Sequence, residues 1–84
     1  MKIVYTKHAQ EKFADLRMFG IIVTKSKIES ALKKPKYKSA ENDVEIKAGE
    51  FDNNHNLRVI YKIVRSAIII ITFYVYRKGR YEEY

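Results

Sequence analysis

Eighty-four residues support one domain with one modest hydrophobic core, and the absence of cysteine excludes disulfides and thiolate metal sites as staples. The net charge is +7 and unevenly placed: residues 1–40 carry ten Lys/Arg against three acids, residues 41–52 one against five, and residues 53–84 six against two. Such a chain suits a polyanion or an acidic protein partner, and equally a solvated lysine-rich surface. The opening Met1 to His8 is too polar for a secretion signal, and the longest apolar run, Ala67 to Ile71, is far too short to span a membrane. A cytoplasmic protein with no membrane partner is expected.

The elements follow in order β-α-α-β-β-β-β, an α+β domain whose core rests on an antiparallel sheet. A short first strand covers Lys2 to Tyr5. Thr6 is placed to cap a helix from about Lys7 to Met18, whose apolar stripe is Ala9, Phe13 and Leu16. Gly20 ends it. Thr24 caps a second helix with the stripe Ile28, Ala31 and Leu32, and Pro35 stops it by disfavouring helical geometry at the preceding residue. Tyr37 to Ala40 reads as an edge strand. Val44, Ile46 and Ala48 alternate with Glu45 and Lys47, which predicts one buried face carrying the apolar set. Residues 52–56 (Asp-Asn-Asn-His-Asn) form a turn by composition. Leu57 to Val64 and Ala67 to Tyr76 are strands rich in β-branched and aromatic residues. The second is apolar on both parities and therefore central. Burial of Ile69, Ile71 and Phe73 should contribute on the order of 2 kcal/mol each.

Several strings resemble the RelE/ParE superfamily of small toxins, and within it an uncharacterised branch that opens with a His-Ala motif. Here the opening is Lys7-His8-Ala9-Gln10-Glu11-Lys12-Phe13, followed by Leu16, Gly20 and Val23-Thr24. Ile28, Ala31 and Pro35 are similar to the branch's second helix. Asn56-Leu57-Arg58-Val59-Ile60-Tyr61 resembles the superfamily's "LRVxY" strand, and Ile71-Thr72-Phe73-Tyr74 with Arg77 and Tyr81 resembles its last strand and tail. The likeness covers nearly the whole chain. It implies a RelE-like fold over residues 1–84 and a toxin-like mRNA endoribonuclease that acts on RNA or the ribosome and is neutralised by an antitoxin protein. It implies no metal and no other cofactor.

In that chemistry the ribose 2′-OH attacks the adjacent phosphate, so a site must remove a proton, stabilise a phosphorane and protonate the leaving 5′ oxygen. Arginine suits the middle task because its planar fork grips phosphate and keeps its charge. Carried over by the resemblance, Arg58 is one phosphate clamp and Arg77 a second, while Tyr81 stacks on a base or joins the proton relay. Tyr84 fits a longer spacing for the same role. Lys47 is a looser match to the superfamily's basic groups, and Glu45 is a candidate base by position. Lys33, Lys34, Lys62 and Arg80 are candidate nucleic-acid contacts, each of which would make binding salt-dependent.

Every assignment has a structural counterpart. His8 is a candidate general acid or base, because imidazole titrates near neutrality, or a capping and packing residue. Arg58 grips phosphate or pairs with Glu45 across the sheet, worth about 0.2–1 kcal/mol. Lys47 and Lys62 serve a site or are solvated strand residues. The alternatives to a nuclease are a nucleic-acid or ribosome-binding module without chemistry, and a protein-interaction domain with an exposed sheet or edge, including a homodimer.

The register of the last two strands separates these readings. Arg58 and Lys62 share a face, since side chains alternate. A two-residue turn at Arg65-Ser66 pairs Val64 with Ala67 and sets Ile69, Ile71 and Phe73 beside them, an apolar face with basic edges. A three-residue loop sets Thr72, Tyr74 and Tyr76 there instead, a polar and aromatic face. No Asn-Gly or Asp-Gly signal chooses between them.

Overall fold

The structure, a computed structural model, describes residues 1–80. Its elements are β1 (Lys2–Tyr5), α1 (Lys7–Arg17), α2 (Lys25–Lys33), β2 (Tyr37–Glu41), β3 (Val44–Glu50), β4 (His55–Val64) and β5 (Ala67–Arg77), the α+β order read from the sequence. The strands form one sheet in the order β1-β5-β4-β3-β2. Strands β2 to β5 are consecutive antiparallel neighbours, whereas β1 pairs parallel with β5, so the sheet is mixed. The two helices carry the chain from β1 to the far edge. Three antiparallel connections then bring it back until β5 meets β1.

Local chemistry sets the helix ends. The Thr6 hydroxyl accepts from the Ala9 N–H at 3.1 Å and starts α1, and Thr24 accepts from the Lys27 N–H at 3.2 Å and starts α2. Helix α2 ends at Lys33, two residues before Pro35. Ile28, Ala31 and Leu32 of α2 and Ala9 of α1 are buried against Leu57, Val59, Tyr61, Ile70 and Phe73. The Phe13 ring lies between Tyr5 and Phe73, at centroid distances of 5.7 and 4.8 Å. Both helices therefore pack on one face of the sheet.

The β4–β5 register combines both alternatives raised by the sequence. Near the turn, Val64 pairs with Ala67 and Lys62 with Ile69, as a two-residue connection requires. A bulge then intervenes: Tyr61 pairs with Ile70 but Ile60 with Thr72, leaving Ile71 as the extra residue. Beyond it the parity of β5 is reversed, and Arg58 pairs with Tyr74. The fully buried residues of β5 are consequently Ile70 and Phe73, with Ile69 and Ile71 only half-buried. This corrects the expected Ile69, Ile71 and Phe73 series, because an inserted residue shifts an i, i+2 pattern to i, i+3. The turn itself places Arg65 at φ 58°, a left-handed conformation usual for Gly or Asn.

Strand β3 also departs from its pattern. Glu45, Lys47 and Gly49 oppose Tyr61, Val59 and Leu57, so they face the helices. Val44, Ile46 and Ala48 face the other way, although Ala48 is buried there. Gly49 explains the inversion: a Cβ at this position would lie 2.9 Å from the Ala31 Cα. Only glycine lets α2 approach so closely, so residue 49 must point at the helix and residues 45 and 47 follow by alternation. Gly49→Ala should destabilise the fold by about 1–3 kcal/mol, as overpacking does. Thermal unfolding would register this as a lower Tm; an unchanged Tm would contradict the packing account.

Candidate functional site

At the outer edge of β5, beyond the end of β1, two side chains of α1 meet three from the sheet face opposite the helices. His8 and Lys12 stand four residues apart on α1 and so share one side of it. Thr72 and Tyr74 stand two apart on β5, past the bulge, and Arg58 faces Tyr74 from β4. His8 Nε2 lies 3.1 Å from Thr72 Oγ1, and Lys12 Nζ donates to the same oxygen at 3.5 Å. Lys12 Nζ and Arg58 Cζ lie over the Tyr74 ring, 5.5 and 5.8 Å from its centroid. A hydroxyl has one hydrogen to give. It also has two lone pairs, so it can accept from Lys12 and from His8 in the tautomer that carries the proton on Nε2, which leaves the lone pair of Nδ1 available to a substrate. His8 is exposed, so its ring remains within reach of a ligand. An imidazole, a hydroxyl, two cations and an aromatic ring on one shelf can move a proton, balance negative charge and stack a planar group.

The other residues singled out by the sequence are dispersed. Arg77 pairs with His55, three positions along a regular ladder from the Arg58–Tyr74 pair, so alternation sends Arg58 and Arg77 to opposite faces. One phosphate held by both arginines is therefore not built. Glu45 and Lys47 face the helices and meet structural needs. Glu45 accepts from the Tyr61 hydroxyl at 2.9 Å, and Lys47 Nζ donates to the Leu32 carbonyl at 3.2 Å while lying over the Tyr61 ring. The Glu45–Arg58 pair considered from sequence is absent for the same reason: Arg58 opposes Ala48 on the other face. Lys33 and Lys34 are exposed at the end of α2, which packs over β3 and β4, away from the cluster. Lys62 is exposed on the Arg58 face, nearer the Arg65 turn. Arg80 is exposed and lines a groove with Arg77 at the far end of β5. Tyr81 and Tyr84 lie outside the described residues. Among the described residues, no helix is long and apolar enough to cross a membrane.

Lys12 is not distinguished by sequence pattern alone, and Thr72 and Tyr74 belong to only one of the two registers open to β5. Two signals nonetheless point to them. Lys12 follows His8 at helical spacing, and Thr72 is the one hydroxyl inside the run from Ala67 to Phe73.

The pairing of buried Tyr61 with half-buried Glu45 on the helix face has a measurable signature. Burial, and then the hydrogen bond and charge of Glu45, push the Tyr61 phenol up to about 12. The neutral phenol is thus favoured by the fold. Its contribution to stability is complete below the unfolded value of about 10 and is lost as pH rises through about 12. A tyrosinate absorbance titration, taken as the difference between the parent and Tyr61→Phe, should show this late step. Glu45→Gln should move it downward without restoring the ordinary value, because burial is the larger cause. A difference step near the ordinary value in the parent would refute this. Comparison with protein-family models, with curated proteins and with solved structures gave no match.

Proposed function

We propose that this domain is a toxin-like endoribonuclease that cleaves RNA without a metal, through the cluster of His8, Lys12, Arg58, Thr72 and Tyr74. The observation that carries the reading is the 3.1 Å contact between His8 Nε2 and Thr72 Oγ1, flanked by two cations at Tyr74. His8 takes the proton of the 2′-OH as its oxygen bonds to phosphorus. Lys12 and Arg58 balance the charge of the phosphorane. The bond to the 5′ oxygen then breaks, and that oxygen takes the proton back from the imidazolium. The products are a 2′,3′-cyclic phosphate and a free 5′-OH, with atoms and charge balanced. Thr72 orients the imidazole, and the Tyr74 ring holds the two cations beside it.

Relative to the resemblance, the chemistry moves. Lys12 takes the place that Arg77 was expected to fill, and the candidate base is His8 instead of Glu45, which is committed to Tyr61. The setting expected from the resemblance is retained: a cytoplasmic toxin acting on mRNA or the ribosome and restrained by an antitoxin. The net charge of +7 favours such a polyanion. A second reading is RNA binding without cleavage. It is favoured by the stacking of Lys12 and Arg58 on Tyr74, which holds an anion and a base with no chemical step.

Cleavage of a labelled single-stranded RNA in the presence of a chelator separates the two. On the nuclease reading, products end in a 2′,3′-cyclic phosphate and a free 5′-OH. His8→Ala should lower the rate by about 10²–10⁴-fold while leaving RNA affinity nearly unchanged. Arg58→Ala should weaken both, and should relieve growth arrest on expression. Tight, salt-dependent binding with no product would favour the second reading. Cleavage indifferent to His8→Ala would refute the assignment.

A further inference from the structure

The groove at the far end of β5 shares Tyr74 with this cluster and is otherwise outside it. It encloses about 590 Å³ between the α1–α2 connection (Gly20, Ile21, Ile22) and the last residues of β5, with Phe51 and His55 also lining it and Arg77 and Arg80 at its margin. Backbone geometry makes one wall polar. Strand β1 covers β5 only from Ala67 to Ile70. The Lys78 N–H donates to the Asn54 carbonyl, and the His55 carbonyl accepts from Phe51 and Asp52 on the opposite side of β4. In an antiparallel ladder these bonds alternate, so Tyr74 and Tyr76 bond to β4 while Val75 and Arg77 direct their N–H groups away from it. The Arg77 carbonyl accepts from the Arg80 N–H at 3.2 Å. Among the described residues, no backbone bond reaches the Val75 N–H, the Val75 carbonyl or the Arg77 N–H on this side. The groove therefore joins an apolar floor to backbone donors and an acceptor, with guanidinium groups at its mouth.

The occupant must match those features and reach the cluster. Tyr74 does both: it lines the groove and is the ring under Lys12 and Arg58. From Thr72 to Arg77 the strand advances about 17 Å, at roughly 3.3 Å per residue. Among the described residues that line the groove, the one carboxylate, Asp52, is engaged by His55, with Nδ1 2.9 Å from Oδ1; that bond holds the carboxyl below its usual range. Arg77 and Arg80 are then the cationic side chains among the described lining residues. We infer that the groove is a subsite for an unpaired nucleotide flanking the scissile phosphate, with the base on Ile21 and Ile22, its edge read by Val75 and Arg77, and its phosphate held by Arg77 and Arg80. This rests on the RNA reading above and extends it: the substrate is single-stranded, because a base held in a duplex cannot enter the groove, and it is several nucleotides long.

Affinity measured against RNA length tests this, using His8→Ala protein so that bound RNA stays intact. A hexanucleotide should bind at least about tenfold more tightly than a dinucleotide, through added phosphate and stacking interactions. The double variant Arg77→Ala/Arg80→Ala should erase most of that advantage and leave dinucleotide affinity unchanged. It should also lower the salt slope by about 0.7 for each phosphate that the arginines no longer neutralise. Ile22→Asp, a change at an exposed position, should erase the same advantage without threatening the fold. Amide shifts at Val75 and Arg77 should follow the hexanucleotide and not the dinucleotide. Equal affinity for both lengths, or indifference to the three substitutions, overturns the subsite and leaves the cluster reading standing. Failure of every RNA to bind overturns both. Equal binding of a duplex, or perturbation of the two amides only by an extended acidic peptide, overturns the nucleotide assignment in favour of shape recognition or a protein partner.

Discussion

The rest of the molecule depends on the bonds made by the hydroxyl and the N–H of one residue, Thr6. The Thr6 hydroxyl caps α1 through the Ala9 N–H and donates to the Ile71 carbonyl, while its own N–H donates to the Ile70 carbonyl at 3.1 Å. It thereby joins the end of β1, the start of α1 and the bulge of β5. A carbonyl displaced by a bulge needs a partner outside the ladder, and Thr6 supplies it. The same bonds fix the first turn of α1 beside β5, which brings His8 and Lys12 to Thr72. Helix start, strand irregularity and candidate site are thus one mechanical unit.

The bulge also settles what each face of the sheet presents. Without it, Phe73 would share a face with Arg58 and Thr72 would point at the helices, burying a hydroxyl and exposing an aromatic ring. With it, Phe73 reaches Phe13 and the core, and Thr72 and Tyr74 join Arg58 on the opposite face. The aromatic and polar residues of β5 are separated by a single inserted residue. Bulges near functional sites commonly re-aim side chains in this way.

Charge follows the same division. Glu45 and Lys47 face the helices yet are satisfied there, one by the Tyr61 hydroxyl and the other by a helix-terminal carbonyl. Lys47 carries its head past apolar surface to reach that carbonyl, as long cationic side chains do. They belong to the architecture that holds α2 over β3. Arg58 and Lys12 are instead arranged around the Tyr74 ring on the outer side of β5. The acidic interruption in the chain is accordingly structural, at least at Glu45.

Much of this was legible in the sequence. Helix starts and stops came from Thr6, Thr24 and Pro35, which act on their own neighbours. The element order and the centrality of β5 came from apolar periodicity, which local residues also determine. Arg58 and His8 were recognisable as candidates, but their surroundings were not. The face that each strand residue occupies is set by pairing partners distant in the chain. One bulge, or one glycine such as Gly49 demanded by close approach of α2, reverses every assignment beyond it. That is why Arg77, Glu45 and Lys47 were grouped with Arg58 by sequence and separated from it by the fold. Residue types and local turns are fixed by the chain itself; which side chains meet is fixed by register, and register depends on tertiary packing.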